Sequence, residues 1–234
     1  MSRPFVADRP VAIGAGLTSI VVGVAVTSFF DASWSRGLED RVDALSSGEW
    51  WRVFTGHCTH RSAMHLTLNL ALFVPLGFVV SKRLKPAAFA LALPLLAAGV
   101  AVGVRSLHGD WLSYRGLSGV VYGLATIAIL TSREQTKRET RQLLDLTLAL
   151  VVLKTFAECL QGGWVGMPET LSTSIGTRFL PGSHLGGLAA AFLLYGFFRL
   201  GGERWISTTT PSTMDEFVTP RRLDRPTVEL RPIH

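Results

Sequence analysis

The chain has 234 residues, of which 48% are hydrophobic and only 17% charged, and its formal net charge is +6. With a mean hydropathy of +0.34, it departs from soluble domains, in which about a quarter of residues are charged, and the composition points to a bilayer. The basic residues stand at the ends of apolar runs rather than on one face, so no nucleic-acid partner is expected.

A helix needs about 20 largely apolar residues to cross hydrocarbon. Residues 1–10 read as a short cytoplasmic segment, and the first apolar run covers 11–30. Arg3 and Arg9 precede it as in a signal peptide, but it exceeds a signal h-region and no small-x-small site follows. It reads as a retained helix. Runs two and three, at 63–80 and 86–104, flank the break Ser81-Lys82-Arg83-Leu84-Lys85. The fourth, 117–131, ends at Ser132-Arg133-Glu134-Gln135, and the fifth covers 143–160. A Gly- and Pro-rich stretch from Gly162 to Gly182 leads into the sixth, 183–199. Residues 201–234 are rich in Thr, Pro and charge without an apolar period, and read as a disordered cytoplasmic tail. From residue 203 the tail holds five basic and five acidic residues, which argues against an anionic-lipid anchor. No internal repeat or second domain is visible, so 11–200 reads as one all-α domain of six transmembrane helices.

Lys and Arg counts orient it. With the N-terminus inside, 15 basic residues fall on inner segments and seven outside (Arg36, Arg41, Arg52, Arg61, Arg105, Arg115 and Arg178). Both termini are then cytoplasmic, and spans two, four and six all enter from the outer face. Trp50, Trp51, Trp111, Trp164 and Trp205 fall near interfaces, as an aromatic belt would. Cys58 and Cys159 are too few for a disulfide framework and read as free thiols, although both fall on the outer side.

Polar residues at the mouths of these spans need a reason to be there. His65 and Asn69 share one face at the start of span two, Ser118 opens span four, and His184 opens span six. Three starts from one surface put these groups at one shallow depth, where they can meet in a small hydrated pocket. A serine hydroxyl becomes nucleophilic when a base takes its proton, and His184 is the available base. Attack on an amide builds an oxyanion, for which His65, Asn69 and the backbone N–H of Ser118 offer donors. No carboxylate lies within a few residues of Ser118 or His184, so the expectation is a Ser–His dyad whose imidazole is held by packing, with Tyr122 one turn below Ser118. Such a base predicts a rate that falls as His184 takes up a proton.

These residues resemble the rhomboid family of intramembrane serine proteases. The resemblance runs through Trp51-Arg52, the spacing of His60, His65 and Asn69, the run Gly116-Leu117-Ser118-Gly119-Val120-Val121-Tyr122, and His184-Leu185-Gly186-Gly187, spanning about residues 50–200. It implies a six-helix rhomboid-like bundle that cuts transmembrane protein substrates in or near the bilayer, multi-pass in a bacterial inner membrane. It implies Ser118 as nucleophile, His184 as base, His65 and Asn69 as oxyanion donors, and a Tyr122 ring stacked on His184. Gly116 and Gly119 belong to the same motif, His60 and Arg52 stabilise the first outer loop, and Gly187 allows spans four and six to touch. Ser183 stands where the family usually has Ala, and Ala191 replaces a frequent glycine; both remain small.

Simpler readings compete. Ser118 is also a small residue suited to a helix contact, and His65 with Asn69 would serve as interhelical hydrogen-bond glue. The soluble-hydrolase elbow is absent, because residue 120 is Val. His57, His60 and His65 do not share one helical face and lack a completing carboxylate or thiolate, so neither a metal nor another cofactor is expected. Lys154 and Glu158, four apart in span five, read first as an ion pair facing the bundle or interface, and second as lining for substrate entry. The competing functions are a catalytically silent rhomboid-fold binder of membrane proteins and a solute or proton channel; no charged chain crosses to the inner face to support the channel.

Overall fold

The computed structural model describes residues 9–109, 113–162, 165, 180–202 and 205–207. The expected tail from 208, the segment before Arg9, and Trp111, Trp164 and Arg178 lie outside the described residues. Each of the six apolar runs is a helix, within a few residues of its expected ends. Helix α1 is Arg9–Phe30. Asp31 then caps α2 (Ala32–Leu38), its carboxylate accepting from the amides of Ser33 and Trp34 at 2.8 and 3.0 Å. The loop between α1 and the next long helix continues through β1 (Asp40–Arg41), α3 (Val42–Ser46), α4 (Arg52–Thr55) and a 3-10 turn at Gly56–Cys58. Ser62 caps α5 (Ala63–Arg83) by accepting from the His65 amide. Pro86, with no amide to leave unpaired, opens α6 (Pro86–Leu107). After β2 (Ser113–Tyr114) come α7 (Ser118–Arg133) and α8 (Arg138–Gln161), which Gly162 ends in a left-handed cap at φ +66°. Helix α9 is Pro181–Leu200.

Beside the helices, the described residues hold one two-residue ladder. Asp40 and Arg41 pair antiparallel with Tyr114 and Ser113. This short ladder fastens the first loop to the segment that leads into α7. Buried carboxylates strengthen it: Arg105 meets Asp40 at 2.6 Å and Arg115 meets Glu39 at 2.5 Å. Burial drives the Glu39 carboxyl upward, but the bonds and charge of Arg115 outweigh it and hold the group below the usual carboxylate range. Arg105 and Arg115 are thus both occupied by carboxylates of the first loop.

Among the described residues, four helices are long and apolar enough to cross a bilayer: Val11–Phe30, Ala63–Arg83, Pro86–Leu107 and Pro181–Leu200. Helix α7 has only 16 residues. It lies inside the bundle, with Gly119 through Leu124 almost wholly buried. Helix α8 is its opposite, burying only Thr155 and Glu158. Asp145, half-exposed on α8, pairs with Arg133 at 2.8 Å.

One end of the bundle gathers the starts of α5, α7 and α9, as the glycine contacts below show. The other end holds the start of α1, where Gly14 lies against Ser81, and the residues after α9, where Ile206 bridges to Leu84. Ser207 donates to the Arg83 carbonyl at 2.8 Å, and Lys85 donates to the Trp205 carbonyl at 2.9 Å. Residues 9 and 207 therefore lie at the same end.

Candidate active site

Ser118 is the first helical residue of α7, half-buried, two residues after a glycine that no other residue type replaces easily. Gly116 has φ +115°, in the region that side chains disfavour. A Cβ there would also meet the His65 ring, 2.6 Å from Cε1 and 2.8 Å from Nε2, with Asn69 Nδ2 at 3.7 Å. The two proposed oxyanion donors therefore converge on the backbone just ahead of Ser118. His65 and Asn69 are both buried, and Asn69 donates one amide hydrogen to the His65 carbonyl at 3.0 Å.

Two residues that sequence reasoning missed hold the Gly116 peptide. Tyr114 Oη donates to its carbonyl at 2.8 Å, and His57 Nδ1 lies 3.3 Å from the same oxygen, with Nε2 3.2 Å from the Ala97 carbonyl. The Gly116 amide donates to the Gly56 carbonyl at 3.3 Å. Burial pushes the Tyr114 hydroxyl up to about 12, against its interactions with the Ser118 and Ser183 side chains and the Gly119 amide. His57 was weighed only as a metal ligand and Tyr114 not at all, because neither lies on the helices that carry the motif.

Across the helix contact, Gly119 and Ser183 meet directly: a Cβ on Gly119 would lie 2.5 Å from the Ser183 carbonyl oxygen. A Cβ on Gly187 would collide with the Gly119 carbonyl. The first turns of α7 and α9 are therefore in backbone contact, through residues next in sequence to Ser118 and His184. His184 is 1% exposed. The Tyr122 ring stacks on it with centroids 3.8 Å apart and planes 13° apart.

The imidazole is not held by packing alone. Glu158 Oε2 lies 3.0 Å from His184 Nδ1, with Glu158 0% exposed. The other carboxylate oxygen accepts from Lys154 Nζ, which also donates to Tyr122 Oη at 3.1 Å. The expected Lys154–Glu158 pair is present, facing the bundle, but its carboxylate reaches the candidate base. A search confined to near neighbours in sequence could not find it, since 26 residues separate the two. The available signal was position: Glu158 is a carboxylate near the end of a largely apolar run.

Farther out, Arg52 knits the first loop, donating to the carbonyls of Arg36 and Glu39 at 2.6 and 3.0 Å while Glu49 pairs with it. His60 packs edge-on against His65, centroids 5.0 Å apart. Burial, with some repulsion from His65, pushes the His60 imidazole down to about 3. Cys58 and Cys159 are both free. No group of three or more His, Cys, Asp or Glu side chains suited to a metal occurs among the described residues. Residues 47–201 match the family model of the Rhomboid domain.

Proposed function

The chain belongs to the rhomboid family, and from that premise we propose that it is an intramembrane serine endopeptidase that hydrolyses peptide bonds in or near transmembrane segments of other proteins. The observation that carries this reading is the backbone contact of Gly119 with Ser183, the residues next in sequence to Ser118 and His184, in the first turns of α7 and α9.

In this mechanism Ser118 Oγ attacks the scissile carbonyl carbon while its proton passes to His184 Nε2. The resulting oxyanion sits toward His65, the free amide hydrogen of Asn69, and the Ser118 backbone N–H. The C–N bond then breaks, His184 returns the proton to the departing amine, and an acyl-enzyme remains on Ser118. Water gives a proton to His184, attacks the ester, and releases the new carboxyl end and the serine.

The same reading has six spans and both chain ends in the cytoplasm, with the site opening outward in a bacterial inner membrane. Supporting the fifth span is the outer surface of α8, where Leu143, Leu150, Leu153 and Phe156 are 65, 57, 65 and 58% exposed. Side chains of that size left open at such density suit lipid rather than water. The short α7 is shielded by its neighbours and needs less apolar length. The test is cleavage of a reporter with a helix-destabilised transmembrane segment by purified protein in liposomes. Wild type cuts it and Ser118→Ala does not; equal activity of the two ends the assignment.

A further inference from the structure

We infer that Glu158 is a positioning residue for His184, turning the expected dyad into a Ser118–His184–Glu158 array whose carboxylate arrives from α8. This rests on the protease reading above and adds to it a specific role for a fifth-run residue. The geometry supports it on three sides. Glu158 Oε2 is at bonding distance from Nδ1, and both side chains are sealed from solvent. A carboxylate in that place accepts the Nδ1 hydrogen and so leaves Nε2 as the ring's acceptor, the nitrogen that must receive the serine proton. The same carboxylate stabilises the imidazolium formed during attack.

The arrangement closes on itself. Lys154 bonds both the second Glu158 oxygen and Tyr122 Oη, and the Tyr122 ring lies flat on the imidazole. The base is thus held at its edge by Glu158 and on its face by Tyr122, and Lys154 links the two holders. Lys154 also explains how a carboxylate can remain ionised there. A charge fully removed from water is tolerated only when paired and hydrogen-bonded, and these two oxygens have one partner each.

Lys154 gives the proposal a distinctive signature. An ammonium only donates, so in Glu158→Gln the amide oxygen turns to Lys154 and the amide nitrogen faces His184. An N–H facing Nδ1 forces the ring proton onto Nε2, where it blocks acceptance from Ser118. Replacing Lys154 as well frees the amide to rotate and present its oxygen to Nδ1. A residue that only fills space or stabilises α8 would not show this reversal.

The experiment is kinetic analysis of reporter cleavage in liposomes by Glu158→Gln, Lys154→Met/Glu158→Gln and Ser118→Ala, with thermal unfolding of each. Glu158→Gln is expected to lower kcat by about 10²–10⁴-fold with little change in KM, as loss of a transition-state interaction does. The double variant is expected to recover at least ten-fold of that loss. Where Glu158→Gln does not fold, Lys154→Met/Glu158→Leu removes both charges together and should fold with the same kcat loss. Folded Glu158→Gln, or folded Lys154→Met/Glu158→Leu, with wild-type kcat overturns the role of Glu158, as does a folded Glu158→Gln whose defect the second substitution leaves unchanged. An active Ser118→Ala instead overturns the protease reading beneath it.

Discussion

Helices α8 and α9 each bring one side chain to the same imidazole contact, yet they are built on opposite principles. Helix α9 meets its neighbours through glycine: Gly182 against Gly103, Gly186 against Gly99, and Gly187 against Gly119, all backbone to backbone. Such contacts use small residues to gain close van der Waals packing where lipid supplies no hydrophobic drive. Helix α8 has two buried residues, Thr155 and Glu158, and turns most of its large apolar side chains outward. Its tie to the site is polar, through Lys154 and Glu158. Ser118 and His184 therefore stand beside a close backbone contact, while the Glu158 carboxylate rides on a helix with little buried surface to hold it.

The sharpest way to break this contrast is a matched pair of enlargements. Gly187→Val drives side-chain atoms into the Gly119 carbonyl and should abolish cleavage and lower the thermal midpoint strongly. Ala149→Val, at an exposed position on α8, should change stability by no more than about 0.5 kcal/mol. Similar midpoints for the two would erase the distinction between the helices.

A smaller effect is expected at the turn into α7. Gly116→Ala meets both a disfavoured φ and the His65 ring, so kcat should fall by about 10²-fold or more while the protein still folds. Full activity of that variant would show that the His65 and Gly116 positions are not coupled.

The smallest effect is on acid stability, and it concerns the loop between α1 and α5. His60 has an imidazole value of about 3 when folded, against about 6.5 in an unfolded chain. The unfolded state binds the extra proton in that window, so stability is full above about 6.5 and declines as pH falls toward 3. His60→Gln should flatten the slope of thermal midpoint against pH between 6.5 and 4. An unchanged slope would assign the acid sensitivity elsewhere, with His57 next in line because burial also holds its imidazole below the ordinary value.

Apolar length and charged breaks made the helices legible, because each run is bounded by residues that hydrocarbon rejects. The gathering of His65, Ser118 and His184 at one end followed from the direction of three helices alone. What stayed hidden depended on rotation about a helix axis or on folding of a loop. Glu158 was visible as one half of an ion pair, but whether it faced lipid or His184 is a matter of helix rotation that its apolar surroundings do not encode. His57 and Tyr114 lie in the outer connections, where β1, β2 and the short helices are held by arginine–carboxylate pairs rather than by any periodic pattern. The four helices that pass on length and apolarity also omit α7 and α8, one too short and the other too charged, although these carry Ser118 and Glu158.

The short pairing of Trp205, Ile206 and Ser207 with the α5–α6 turn has a practical side. It gives two backbone amides, those of Lys85 and Ser207, their partners. A chain shortened ahead of Trp205 would strip Lys85 of its acceptor and uncover Leu84, while one cut just beyond Ser207 keeps this clasp whole. Ser207 is accordingly the natural junction for grafting a reporter onto the protein.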